Sequence, residues 1–203
     1  MSPQITTYSG KHFDITHPNP EAICIEDIAH ALSLICRGNG HVTTFYSVGQ
    51  HCLQCAKEAR ARNLPSHLVL AALLHDATEC YMSDVPRPMK QLMPIYRQTE
   101  ARLLDVIYEK FLGQPLTAEE TRLLKDIDNA FLWYDLTYLL QDKPDSAQPQ
   151  VHIAFPIMNH GLLPTSKLNI CSAIESVRRG NHGYSHCDRC LFRVGKRIRE
   201  IIG

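Results

Sequence analysis

The sequence predicts an all-α fold. Three observations carry that expectation. Apolar residues recur at helical spacing at positions 25, 28, 29, 32 and 35. A capping box, Thr117-Ala118-Glu119-Glu120, opens a long run with apolar residues on one stripe. An unbroken apolar run, Leu68 to Leu74, follows the start signals Pro65-Ser66. The chain of 203 residues is long enough for one domain, or one domain with an appendage. We place a core over residues 1–145, with an N-terminal arm over 1–24, and a C-terminal extension over 146–203.

Residues 1–24 are polar and rich in Gly, Pro, Asn and His, which reads as a short hairpin or an ordered arm. Residues 25–36 form a helix stopped by Arg37-Gly38-Asn39-Gly40, which leaves Arg37 beside a turn. Residues 46–60 form a second helix whose inner face holds Val48, Cys52, Cys55, Ala56 and Ala59. His51 lies on that same face. The third helix runs over residues 66–79. There Leu68, Ala71 and Ala72 precede His75 by seven, four and three positions, so His75 shares their buried face. Asp76 is drawn inward behind it, where an unpaired carboxylate is costly. Residues 83–88 form a loop stiffened by Pro86 and Pro88. Residues 96–112 are amphipathic, with Leu103, Leu104, Ile107 and Phe111 inside and Gly113 as the stop. The helix opened at Thr117 runs to 140 and puts Leu124, Asp128, Phe131 and Asp135 on one stripe.

Composition excludes several classes. Hydrophobic content of 44% and zero formal net charge argue against a disordered chain or a generic polyanion binder, so no nucleic-acid partner is expected. No leader and no apolar stretch of about 18 residues is present, so no membrane partner is expected. The eight cysteines are scattered, which fits reduced thiols and a cytoplasmic protein. After residue 145 the patterns weaken. Residues 172–179 could form a short helix, and 191–201 are basic and amphipathic, a potential partner or homo-oligomer element. Cys187 and Cys190, near His182, His186 and Cys171, form only a single C-x-x-C, a weak zinc signal.

Four inward polar residues therefore sit on three expected helices: His51, His75, Asp76 and Asp128. Two imidazoles and two carboxylates suit one divalent ion among Mn, Fe, Co, Zn and Mg, with positions left for water and a substrate oxygen. Glu79, three residues after Asp76, could orient a water and take its proton. Asp84 follows on the proline loop. Arg37 and Lys90 are candidate phosphate clamps, Arg as a fork and Lys as a point charge.

The order His51, His75-Asp76, Asp128 resembles that of the HD-domain phosphohydrolases. Phe45-Tyr46-Ser47-Val48-Gly49-Gln50-His51, His75-Asp76-Ala77-Thr78-Glu79, Asp84-Val85-Pro86-Arg87-Pro88-Met89-Lys90 and Asp128 with an acidic residue at 135 are similar to the small bacterial and phage members related to 5'-deoxynucleotidases. The resemblance covers about residues 8–140. It implies an HD-type helical bundle and phosphate or triphosphate removal from a nucleotide. It implies metal ligation by His51, His75, Asp76 and Asp128, acidic catalytic roles for Glu79 and Asp84, and substrate contacts from Arg37 and Lys90. Gly38 stands where many relatives carry an aromatic, and Asp135 where a Glu is commoner. The chain has no His between Asp76 and His152, so it offers the ligands of a single-metal site. The expected activity is 5'-nucleotidase action on (deoxy)nucleoside monophosphates. Alternatives are a deoxynucleoside triphosphate triphosphohydrolase or a non-catalytic nucleotide-binding protein.

Overall fold

The computed structural model describes residues 4–155. The expected features at 172–179, at Cys171, His182, His186, Cys187 and Cys190, and at 191–201 lie outside the described residues. Among the described residues, seven α-helices follow a two-stranded antiparallel hairpin: α1 (Ile25–Leu34), α2 (Val48–Ala61), α3 (Ser66–Leu74), α4 (Glu79–Met82), α5 (Arg87–Gln91), α6 (Pro94–Leu112) and α7 (Ala118–Tyr134). The architecture is all-α. The hairpin, β1 (Gln4–Thr6) and β2 (His12–Asp14), pairs Ile5 with Phe13. It docks through Phe13, which is fully buried and stacks on Tyr81 at 4.0 Å. No helix among the described residues is long and apolar enough to cross a membrane.

Helix α3 is the hub. Each residue from Leu68 to Leu74 is buried, as a helix apolar all round must be. Against it pack α2, α6 and α7, and α1 packs on the other flank of α2. Ile28, Leu32, Leu73, Leu103, Ile107 and Phe131 are completely or almost completely buried between them. The chain then stays on this core: buried Glu58 accepts from the backbone N–H groups of His152 and Ile153, and Phe155 packs on Tyr134 at 5.4 Å between ring centres.

The capping box at α7 is formed. Thr117 Oγ1 accepts from Glu120 N at 3.2 Å, and the Glu120 carboxylate accepts from Thr117 N at 2.8 Å. A second box, Ser47 with Gln50, opens α2 and sets its start two residues later than the apolar pattern predicts. Thr117→Ala is expected to lower stability by about 1 kcal/mol. A thermal melt should show a midpoint lower by roughly 2–4 °C, with the helical signal retained.

Two expected helices break before their predicted ends. Residues 66–79 do not form one helix: α3 ends at Leu74, tight turns carry 75–78, and α4 begins at Glu79. Adjacent residues on a regular helix point about 100° apart. On a regular helix His75 and Asp76 would diverge by that angle, and the tight turns at 75–78 carry both toward one centre. The long helix after Thr117 likewise changes at Tyr134. Residues Asp135–Leu139 form a wider π-type turn, closed by Leu140 N bonding Asp135 O at 3.1 Å. The loop at 83–88 is also shorter than expected, because α5 starts at Arg87 with Pro88 in its first turn. That placement needs no N–H from proline.

Candidate metal centre

The centre forms where α2, the 75–78 turn and α7 meet. His51 Nε2 lies 3.3 Å from Asp128 Oδ1 and 3.9 Å from Asp76 Oδ2. His75 Nε2 lies 3.3 Å from Asp76 Oδ2 and 3.8 Å from Asp128 Oδ1. The two rings are 5.2 Å apart. At metal–ligand bonds of about 2.1 Å, donors around one ion sit roughly 3.0 Å apart at right angles and about 4.2 Å apart when opposed. All four separations fall within that span. The structure thus brings His51, His75, Asp76 and Asp128 together.

The far nitrogen of each ring also faces an acceptor. His75 Nδ1 faces the Ala72 carbonyl at 2.8 Å, which makes it the donor and leaves Nε2 aimed at the centre. His75 Nε2 is buried with no hydrogen-bond partner. His51 Nδ1 faces the buried Asp135 carboxylate at 3.2 Å. A metal-binding histidine is oriented in this way by an acceptor on its other nitrogen. The π-type turn delivers Asp135 to that position, beyond the reach of a helical pattern read from sequence.

Charge is balanced locally. Burial alone would depress His75, but Asp76 with Cys55, Cys52 and Asp128 together outweigh burial and hold it well above the ordinary histidine value. Burial would raise Asp76, and His75 with Arg37 holds it below the carboxylate range instead. Asp128 is driven far down: burial opposes ionisation, and the His51 and His75 imidazoles beside it overcome that.

Arg37 is placed differently from a surface clamp. Its guanidinium lies inside the cluster, with Nη1 donating to Asp76 Oδ2 at 3.3 Å and Nη2 to Asp135 Oδ2 at 3.2 Å. Glu79 is 3% exposed, and its Oε2 is buried without a hydrogen-bond partner. Burial raises Glu79 well above the carboxylate range, and Asp76 and Asp84 push it further. Lys90 Nζ bonds Glu100 Oε1 at 2.6 Å and stands 3.6 Å from Glu79 Oε1. Asp84 follows Ser83, whose φ of 74° is strained for a residue with a side chain. The Tyr96 hydroxyl holds that corner by donating to Ser83 O at 2.9 Å.

Sequence reasoning missed four contributors. Arg87 Nη2 reaches Asp128 Oδ2 at 3.4 Å from the rim, where Arg87 is half exposed. Glu100 anchors Lys90 from α6, a contact no local pattern announces. Cys52 and Cys55 were assigned to the core, yet His51, Cys55 and His75 form one group that could hold a metal ion, and Cys52, His75 and Asp76 another. The HxxxC spacing of His51 and Cys55 was the available signal. The five cysteines Cys24, Cys36, Cys52, Cys55 and Cys80 are free among the described residues.

No family model matches the chain. Over 107 residues it is 45% identical to the uncharacterized protein YfdR of Escherichia coli (strain K12), covering 53% of this chain and 57% of that protein. Over 127 residues it is 38% identical to an uncharacterized protein of Rhodobacter capsulatus, covering 59% of this chain and 64% of that one. The chain spans less than two-thirds of the length of these curated relatives, and their names state no activity.

Proposed function

We propose that the chain is an HD-type, metal-dependent phosphohydrolase acting on nucleotides, with 5'-(deoxy)nucleoside monophosphates as its substrates. One observation carries the reading: two imidazole nitrogens and two carboxylate oxygens converge at 3.3–3.9 Å, and the opposite nitrogen of each ring faces an acceptor. Buried imidazoles and carboxylates in that arrangement suit a divalent cation better than a packed core. His51, His75, Asp76 and Asp128 would hold the ion, which would supply a Lewis acid and lower the pKa of a bound water.

The chain supplies the remaining roles. Glu79, buried and without a partner on Oε2, is suited to hold the attacking water and take its proton. Asp84 stands near enough to raise Glu79, behind the strained corner at Ser83, and is the candidate to hold the water or to protonate the leaving sugar oxygen. Lys90 and Arg87 are the cations at the rim, positioned to meet a phosphate. Arg37, deeper, compensates the acidic cluster and could share a phosphate oxygen.

A panel of nucleoside mono-, di- and triphosphates with Mn, Co, Mg, Fe and Zn tests the reading. Release of inorganic phosphate from a deoxynucleoside monophosphate is the expected result. Cleavage of triphosphates alone would replace it with the triphosphohydrolase reading. Nucleotide binding without hydrolysis under every metal would replace it with a non-catalytic one. Lys90→Ala should raise KM roughly 10- to 100-fold, the loss of a hydrogen bond to a charged group, with metal content unchanged. A Lys90→Ala protein that loses its metal would show that Lys90 serves the acidic cluster and not the substrate.

A further inference from the structure

His51 Nε2 is approached by four polar groups. Besides Asp128 Oδ1 and Asp76 Oδ2, the Arg37 guanidinium lies at 3.5 Å and Cys55 Sγ at 3.6 Å. Without a metal, one nitrogen can serve only one of them. Cys55 is 1% exposed and His51 is fully buried, so neither has water as an alternative. Both come from α2, one helical turn apart, which fixes their separation. A buried cysteine is commonly a small apolar filler. An apolar filler has no reason to face the nitrogen that points into a polar centre.

The distance itself is informative. With a metal–sulfur bond of about 2.3 Å and a metal–nitrogen bond of about 2.1 Å, two ligands of one ion lie about 3.1 Å apart at a right angle and about 3.6 Å apart at the wider tetrahedral angle. The measured Cys55 Sγ to His51 Nε2 distance is 3.6 Å. His51, Cys55 and His75 offer ligand atoms that all lie within 4.8 Å of one another.

We propose that Cys55 is a ligand of the metal centre, binding as a thiolate beside His51 and His75. The inference rests on the metal reading above and deepens it. The S–metal bond forms as the thiol proton leaves to solvent, with no change of oxidation state. A thiolate makes the site softer than an all-N/O site. It favours Zn, Co or Fe and disfavours Mg and Mn.

Cobalt absorption tests this on the full chain, without any assay of activity. The metal-free protein is loaded with one equivalent of Co(II). Wild type is expected to show an intense sulfur-to-cobalt charge-transfer band in the near ultraviolet. Cys55→Ser should still bind Co(II) but lose the band, and Cys52→Ser should keep it. Cys55→Ser should also lose at least about tenfold in Zn(II) affinity, while Mn(II) affinity changes by less than about threefold. Bound Co(II) without the band in wild type overturns the thiolate and leaves the nitrogen and carboxylate site standing. A band that survives Cys55→Ser, or vanishes with Cys52→Ser alone, also overturns the assignment. Failure of folded wild type to bind Co(II) at all overturns the metal reading, and Cys55 with it. The wild-type spectrum needs no variant to fold.

Discussion

Asp128→Ala is expected to strip the centre of metal and reduce phosphate release to background. Asp128 Oδ1 lies 3.3 Å from His51 Nε2 and 3.8 Å from His75 Nε2, and its Oδ2 takes Lys125 at 2.7 Å and Arg87 at 3.4 Å. Removing it leaves Asp76 as the one remaining carboxylate of the four-residue set, with Arg37 beside it at 3.3 Å, so the ion loses both a ligand and half of the carboxylate charge that holds it. Groups that merely orient a ligand cost about 10- to 100-fold in metal affinity when lost. A ligand should cost more than the upper end of that range. Metal content by elemental analysis, alongside a melting curve, separates this from unfolding. Lys125→Ala is the control. Its pair with Asp128 faces solvent, so it should change stability by less than about 1 kcal/mol and leave the metal bound. Full metal occupancy in Asp128→Ala would remove that residue from the ligand set.

Glu79 should give the second large effect. Glu79→Gln removes the proposed base, and general bases contribute typically about 10²–10⁴-fold, so turnover at saturating substrate should fall by that amount with metal still bound. Stability should move the other way. Burial, then Asp76 and Asp84, raises Glu79 in the folded chain above its unfolded value. A group shifted upward contributes stability that is complete below the ordinary carboxylate range. That contribution is lost as pH rises through the elevated folded value. At neutral pH and above, the metal-free protein therefore carries the cost of a buried anion, which the neutral amide removes. Metal-free Glu79→Gln should melt higher than metal-free wild type at pH 8, and the gap should close toward pH 4. Turnover within about threefold of wild type would rule out the catalytic role.

Legibility in the sequence followed the range of the interactions. The helices α1, α6 and α7 were readable because apolar spacing, a capping box and Gly113 are local signals. The inward direction of His51, His75 and Asp128 was readable for the same reason, since neighbours three and four positions away fix a helix face. Asp76 was harder. Its place depends on the helix breaking after Leu74, and the segment that follows carries no Gly or Pro to announce that break. Asp135 sat on the expected stripe, but the π-type turn decides what it touches. Arg37 was legible as a functional cation beside a turn, whereas its partners come from 39 and 98 residues away. Glu100 and Cys55 needed three dimensions: one acts from a different helix, and the other looks like ordinary core until the imidazole beside it is placed.

The centre joins parts of the chain that are far apart in sequence. His51 and Asp128 are 77 positions apart. An ion gripped by both would close a loop of that length, and a cross-link on such a loop restricts the unfolded ensemble by roughly 4–5 kcal/mol in the chain-entropy model. The ion would then act as a reversible staple across the bundle, tying α7 to α2 through a topological constraint. Chelation would loosen the α7 end first, because the hub around α3 is held by apolar burial that needs no metal. In a cell, metal supply would thereby set the lifetime of the folded chain against proteolysis as well as its capacity for chemistry.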